Sequence, residues 1–139
     1  MLDTNLDVEK LKKLQFKIMK DVAASALIPL MRIVDQLGLF QKLSALGPIT
    51  SKKFAEEAKV DERYLREWLY ALSATDFVSY DGEKEEFSLS PEQTAVFADE
   101  EGPANMLGAY EVLAGQVYAE EKVLELSLIH ISEPTRLDG

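Results

Sequence analysis

The side chains in this sequence with the right types for acid–base or cation chemistry are carboxylates. Adjacent ones include the pairs Glu56-Glu57, Glu85-Glu86 and Glu120-Glu121 and the run Asp99-Glu100-Glu101. General acid–base catalysis needs two titrating groups held in different environments. Adjacent carboxylates at surface-type positions do not meet that need, and solvated charge is their plainer account. Asp99-Glu100-Glu101 has the composition to gather a cation, but no further ligand converges on it in the sequence. His130 is the only imidazole, and there is no cysteine, which excludes disulfides, thiolate metal sites and cysteine nucleophiles. No Gly-x-Gly pair occurs, so there is no glycine-rich loop to cradle a nucleotide or cofactor. The reading assigns no catalytic, no cofactor-binding and no metal-ligating residue to this chain.

The elements that would position such groups belong to one domain. The chain has 139 residues, 47% hydrophobic and 29% charged, the mix of an ordinary globular domain. Fifteen Lys and Arg stand against 25 Asp and Glu, a formal charge of −10, which opposes phosphate binding. The N-terminus is charged and amphipathic, unlike a signal peptide. The longest mostly apolar stretch, residues 22–31, falls well short of the ~20 residues a membrane span needs. A cytoplasmic location and no membrane partner are expected.

Residues 126–139 are set apart. The string from Leu126 to Arg136 looks like a translated transposon end followed by a sequencing-library adapter. The segment is therefore expected to be non-native and is excluded from fold reasoning, and His130 with it. A genuine C-terminal strand over 126–131 is the other reading. On the first reading the natural chain continues differently after Glu125.

Residues 1–7 are polar and expected to fray. From Val8, apolar residues at Leu11, Leu14, Ile18 and Val22 share a helical face, and Lys10, Lys12, Lys13, Lys17 and Lys20 make the remainder basic. The pattern runs on to Leu37, with Pro29 predicting a kink or two helices meeting near 25–29. Gly38 and Gly47-Pro48 are stop signals around a short helix over 39–45. A helix over 51–58, a tight connection at Lys59-Val60, and a helix over 62–75 capped by Asp61 come next. Tyr64, Leu65, Trp68, Leu69 and Leu72 mark the apolar face of the second helix, and Tyr64, Trp68 and Phe77 are expected in the core. Residues 77–80 and 86–89 read as two strands around a turn at Asp81-Gly82. Ser90-Pro91-Glu92-Gln93 forms a capping box for a short helix ending near Phe97. A last helix is expected to open at Pro103, with Met106, Tyr110, Leu113, Val117 and Leu124 along it.

Helix, turn, helix, hairpin is the winged helix-turn-helix order. The fold class is mainly α: a winged helix-turn-helix with a small two-stranded β-hairpin wing and long flanking helices. The domain is expected over 8–125, with its winged-helix core at 48–90. The would-be recognition helix, 61–76, has four carboxylates against Arg63 and Arg66, a net −2, and the wing, 81–86, has a net −3. Like charges there repel phosphate. Arg63 and Arg66 are expected to pair with Glu62 and Glu67, and no nucleic-acid partner is expected.

The flanking helices, 8–37 and 103–125, exceed what a winged helix needs, and each carries a long apolar stripe. Ala104, Gly108, Gly115 and Ala119 would permit close helix approach. A homodimer through these two helices is expected; an intramolecular pair is the alternative, and both can hold together.

Three stretches carry a family resemblance: Leu37-Gly38-Leu39-Phe40, Ile49-Thr50-Ser51-Lys52-Lys53-Phe54-Ala55, and Val60-Asp61-Glu62-Arg63-Tyr64-Leu65-Arg66-Glu67-Trp68-Leu69. Over about residues 8–125 the chain resembles the N-terminal winged-helix dimerisation domain of class I S-adenosylmethionine-dependent methyltransferases. Small-molecule O-methyltransferases share the plan more loosely. The resemblance implies a domain that dimerises and covers the substrate pocket of a following catalytic domain. It also implies S-adenosylmethionine as the cofactor of the full-length enzyme, bound by a glycine-rich loop that this sequence lacks. The catalytic domain, a partner in cis, is missing here, so no cofactor or catalytic residue carries over. Met106, Tyr110 and Tyr118 are the candidate substrate-lid residues, with helix core as their alternative role. A winged-helix transcription regulator and a free-standing dimerisation module are the rival functions.

Overall fold

The computed structural model describes residues 5–128. Most of the expected fraying segment, and the tail from residue 129 with His130, lie outside the described residues. Among the described residues there are seven helices and three short strands. The helices are α1 (Val8–Ser25), α2 (Leu27–Gln36), α3 (Leu39–Leu46), α4 (Ser51–Ala58), α5 (Glu62–Ser73), α6 (Pro91–Phe97) and α7 (Leu107–Leu128); the strands are β1 (Ile49–Thr50), β2 (Ser79–Asp81) and β3 (Glu86–Ser88).

The local chemistry accounts for most boundaries. Asp7 opens α1 by accepting from the N–H groups of Glu9 and Lys10, so the polar N-terminal segment is tied down at its last residue. Pro29 has no N–H for the carbonyl of Ser25, and the helix is interrupted at Ala26, just before Pro29's own turn. Ala26 keeps right-handed helical angles, φ −64° and ψ −18°, so α2 continues α1 along one rod. Gly38, at φ 61°, makes the left-handed step between α2 and α3 that a side chain resists. Thr50 and Asp61 cap α4 and α5 through their side-chain oxygens.

Ser90 and Gln93 complete the capping box at α6. Gln93 does more than close it. Its Oε1 also accepts from the Ser79 hydroxyl at 2.9 Å, and its Nε2 donates to the Asp76 carbonyl at 2.9 Å. One side chain thus ties α6 to the start of β2.

Two expectations are corrected here. The wing is not a two-stranded hairpin alone. Ile49 pairs with Phe87 and Thr50 with Glu86, giving a three-stranded antiparallel sheet in the order β1-β3-β2. Two residues are too few for period-two alternation to register, so β1 left no signal. Secondly, α7 begins at Leu107, not Pro103. Residues 103–106 form a turn in which Met106 N–H donates to the Val96 carbonyl at 3.0 Å and Asn105 Oδ1 accepts from Leu107 N–H at 3.1 Å. These bonds to α6 and to the Asn105 side chain take the place of an earlier helical turn. The expected strand ends also shift: Phe77 and Val78 precede β2, and Leu89 follows β3.

The core sits between α2, α3, α4, α5 and the sheet. Phe40, Phe54, Phe87, Met31, Leu43 and Leu69 are fully buried. Phe40 packs edge-on to Trp68 with ring centroids 5.6 Å apart and stacks on Phe97 at 4.9 Å. A second aromatic group, Tyr70, Tyr80 and Phe87, joins α5 to the wing at 4.6–5.5 Å. α7 packs on α2, burying Leu107 and Ala114. By contrast, α1 buries no residue at all.

Candidate functional site

The helix–turn–helix–hairpin order makes the α5 and wing face the candidate surface for nucleic acid. On α5, Arg66 is held by Glu62, with N–O distances of 3.2 Å to both carboxylate oxygens, and Ser51 Oγ donates to the same carboxylate at 2.8 Å. An i,i+4 pair is what the helix geometry permits, so the expected pairing is found for Arg66. Arg63 has no ion pair among the described residues. In the wing, Asp81 Oδ1 accepts from the N–H groups of Glu83 and Lys84, closing the turn, and Glu85 takes a left-handed φ of 55°. Contact with the Tyr70 hydroxyl raises the Tyr80 phenol above its ordinary pKa. These interactions shape the turn and its aromatic support, and the surface stays acidic.

Among the described residues, two apolar grooves flank α2. The larger has a volume of about 500 Å³ and lies between α2 and α5. Leu30, Ile33, Val34 and Leu37 form one wall and Tyr64, Leu65 and Trp68 the other; Asp61 and Glu67 are its charged residues. Its floor is set by the buried Val34, Leu65 and Trp68, while Ile33 is 55% exposed and Tyr64 77% exposed. Tyr64 is therefore not a core residue, as the apolar periodicity suggested. It sits one turn before Trp68 on α5 and forms the lip of the groove. Trp68 is buried as expected, yet its Nε1–H has no hydrogen-bond partner among the described residues. Phe77 is half-buried against the core, 5.1 Å from Phe97.

The second groove lies where the α1–α2 junction meets α7, lined by Ser25, Ile28, Pro29, Arg32, Ala114, Val117 and Tyr118. Arg32 Nε donates to Glu111 Oε1 at 3.0 Å, and the guanidinium lies 5.8 Å from the Tyr118 ring centre. The hydrogen bond to Glu111 chiefly holds the Arg32 guanidinium in its charged form, raising its pKa further.

The three candidate lid residues do not share a site. Met106 precedes α7 and is exposed, Tyr110 packs partly into the core, and Tyr118 is exposed at the second groove. Burial pushes the Tyr110 phenol above its ordinary pKa. Helix core thus describes Tyr110 in part, and neither Met106 nor Tyr118. No three His, Cys, Asp or Glu side chains converge in a metal-holding group among the described residues. At the acidic loop, Glu100 instead accepts from Gln41 Nε2 at 2.9 Å.

The family model of the Rv2258c-like winged HTH domain matches residues 23–98, more than half of the chain. The chain belongs to this family. The match covers the winged helix-turn-helix domain from the end of α1 through α6. A solved structure, PigF with SAH, superposes with a TM-score of 0.56 at 15% sequence identity, covering 88% of this chain and 33% of that one. At that identity the likeness is one of fold. The chain spans about a third of the length of that structure. No curated protein matches the chain.

The groove residues missed by sequence reasoning are Ile33, Val60 and Tyr64. Ile33 and Tyr64 are apolar or aromatic positions of α2 and α5, where periodicity alone does not tell a core position from the wall of a groove, and Val60 lies in the connection before α5, where there is no periodicity to read.

Proposed function

We propose that this winged HTH domain is the N-terminal dimerisation and substrate-lid domain of an S-adenosylmethionine-dependent methyltransferase acting on a small-molecule acceptor. The observation that carries the reading is the superposition on PigF with SAH across 88% of this chain but only 33% of that one. SAH is what remains of S-adenosylmethionine once its methyl group is given away, so the reading takes S-adenosylmethionine as the cofactor of the full-length enzyme.

The residues of this chain do not fit that cofactor. The larger groove is walled by aliphatic and aromatic side chains with two carboxylates, and no glycine-rich backbone cradle lines either groove. Methyl transfer therefore belongs to a catalytic domain in cis. The role left to this part is assembly and cover, in a cytoplasmic enzyme.

The dimer part of the reading is supported by unpartnered apolar surface. Leu14, Phe16, Ile18, Met19 and Val22 on α1 are more than half exposed, as are Val117, Tyr118, Val123 and Leu124 on α7. Contiguous apolar exposure on this scale marks an interaction surface. The intramolecular alternative accounts for α2 against the first half of α7, and leaves α1 and the distal half of α7 for a second copy. A duplex-binding role is disfavoured by the net −2 of residues 61–76 and the net −3 of residues 81–86, with Arg66 held by Glu62.

Two measurements test the reading. Resequencing the gene across the Glu125 codon supports it if the frame runs on into a glycine-rich, donor-binding domain; a stop directly after Gly139 overturns the enzyme part. Calorimetry of this chain with S-adenosylmethionine is expected to show no saturable heat, and clear saturation would overturn the division of labour.

A further inference from the structure

From the cap of α5 onward, Asp61, Tyr64 and Glu67 follow one another at three-residue spacing, and all three line the α2–α5 groove. Residues three apart are neighbours on a helix surface. Tyr64 therefore stands between the two carboxylates, which are about 9 Å apart along the axis at ~1.5 Å per residue. Asp61 Oδ1 accepts from the Tyr64 N–H, and neither carboxylate has an ion-pair partner among the described residues.

Below this acidic lip the groove is apolar, with Leu30 and Val34 of α2 on one side and Leu65 and Trp68 of α5 on the other. Its volume of about 500 Å³ falls within the range of small-molecule sites, about 300–1,000 Å³. Trp68 is 5% exposed, and its Nε1–H has no partner among the described residues. A buried donor without a protein partner calls for one from outside the chain.

The lip and the floor together select the ligand. Carboxylates on either side of an aromatic ring favour a cation, through charge and through the face of the ring. The apolar floor favours a hydrophobic body and excludes a small hydrated ion. An anion would be repelled at the lip, and a neutral apolar molecule would gain nothing there. We propose that the α2–α5 groove binds a small amphipathic organic cation, an amine whose ammonium sits at Tyr64 between Asp61 and Glu67 and whose apolar body lies over Leu30, Val34, Leu65 and Trp68. The proposal uses only α2 and α5 and stands apart from the methyltransferase reading; none of Met106, Tyr110 and Tyr118 lines this groove. Both carboxylates are exposed, so the body supplies most of the affinity and the head the selectivity. Exposed ion pairs of this kind change affinity by roughly 1.5- to 5-fold each.

Trp68 is the single tryptophan of the chain, so its indole N–H gives one resonance that reports on the groove floor. The full chain, labelled with ¹⁵N, is titrated in turn with 4-phenylbutylamine, 4-phenylbutan-1-ol and 4-phenylbutanoate, which share a body and differ in head-group charge. The indole resonance is expected to shift saturably, with the amine binding tightest and the carboxylate weakest. Asp61→Asn keeps a side-chain oxygen for the cap, and Glu67→Gln lies at an exposed position, so the double variant folds, as circular dichroism checks. In it the amine is expected to lose its advantage over the alcohol, while the alcohol binds as before. Equal binding of all three probes, or an amine preference that survives in the double variant, would overturn the cationic head. An indole resonance that none of the probes shifts would overturn the site itself. One that moves on dilution of the ligand-free chain would assign the groove to a second copy instead.

Discussion

Arg32 and Glu111 meet at 3.0 Å although 79 residues separate them, and their pairing joins α2 to α7 across the second groove. The Arg32 side chain is 25% exposed and that of Glu111 48%. Pairs this open to water contribute little to stability. Glu111→Gln is therefore expected to lower the denaturation midpoint only slightly. A large drop would mean that the pair, rather than the burial of Leu107 and Ala114, holds α7 in place.

Trp68 is the test of the core. Its side chain meets Phe40 and closes the floor of the larger groove. Trp68→Ala is expected to cost ~3–5 kcal/mol through the cavity it leaves. Because Nε1–H is buried without a partner, Trp68→Phe removes an unsatisfied donor along with some volume, and the two effects offset in part. The phenylalanine variant should therefore unfold much closer to the parent than the alanine variant. Equal losses in the two would show that the indole N–H is satisfied in solution.

Glu92 gives a pH signature. Its own backbone N–H and then the Ser90 hydroxyl hold its carboxyl below the usual range. A carboxylate with a lowered folded-state pKa contributes stability above the unfolded value, about 4.3 for Glu. That contribution is lost as the pH falls through the folded-state value. Glu92→Gln is expected to be slightly less stable than the parent near neutral pH. The difference should close at acid pH, below both values. Thermal unfolding across that window checks it; a gap that persists in strong acid would assign the effect to packing.

Removal of residues 126–139 should leave the melting temperature unchanged. Leu126 and Leu128 extend α7 but are 54% and 51% exposed, and neither belongs to the core. A marked drop on deletion would make the segment structural.

What the sequence determined by itself was the set of features written in neighbouring residues. Asp61 as the cap of α5, the Ser90–Gln93 capping box, the left-handed Gly38, the interruption ahead of Pro29 and the helix–turn–helix–hairpin order are each settled within a few positions along the chain. The net charges of residues 61–76 and of the wing were likewise legible, since they need only counting. Tertiary structure decided the rest, because it depended on partners far away in sequence. β1 exists only because Phe87 and Glu86 come back to pair with Ile49 and Thr50. The turn before α7 is set by Val96 in another helix. Tyr64 and Trp68 share one apolar face of α5, yet Tyr64 is 77% exposed and Trp68 5%. The apolar stripe of α1 looks like core in the sequence, yet no residue of α1 is buried in the fold. Periodicity reports that a face is apolar; only the packing of the whole chain decides whether that face is covered, and by what.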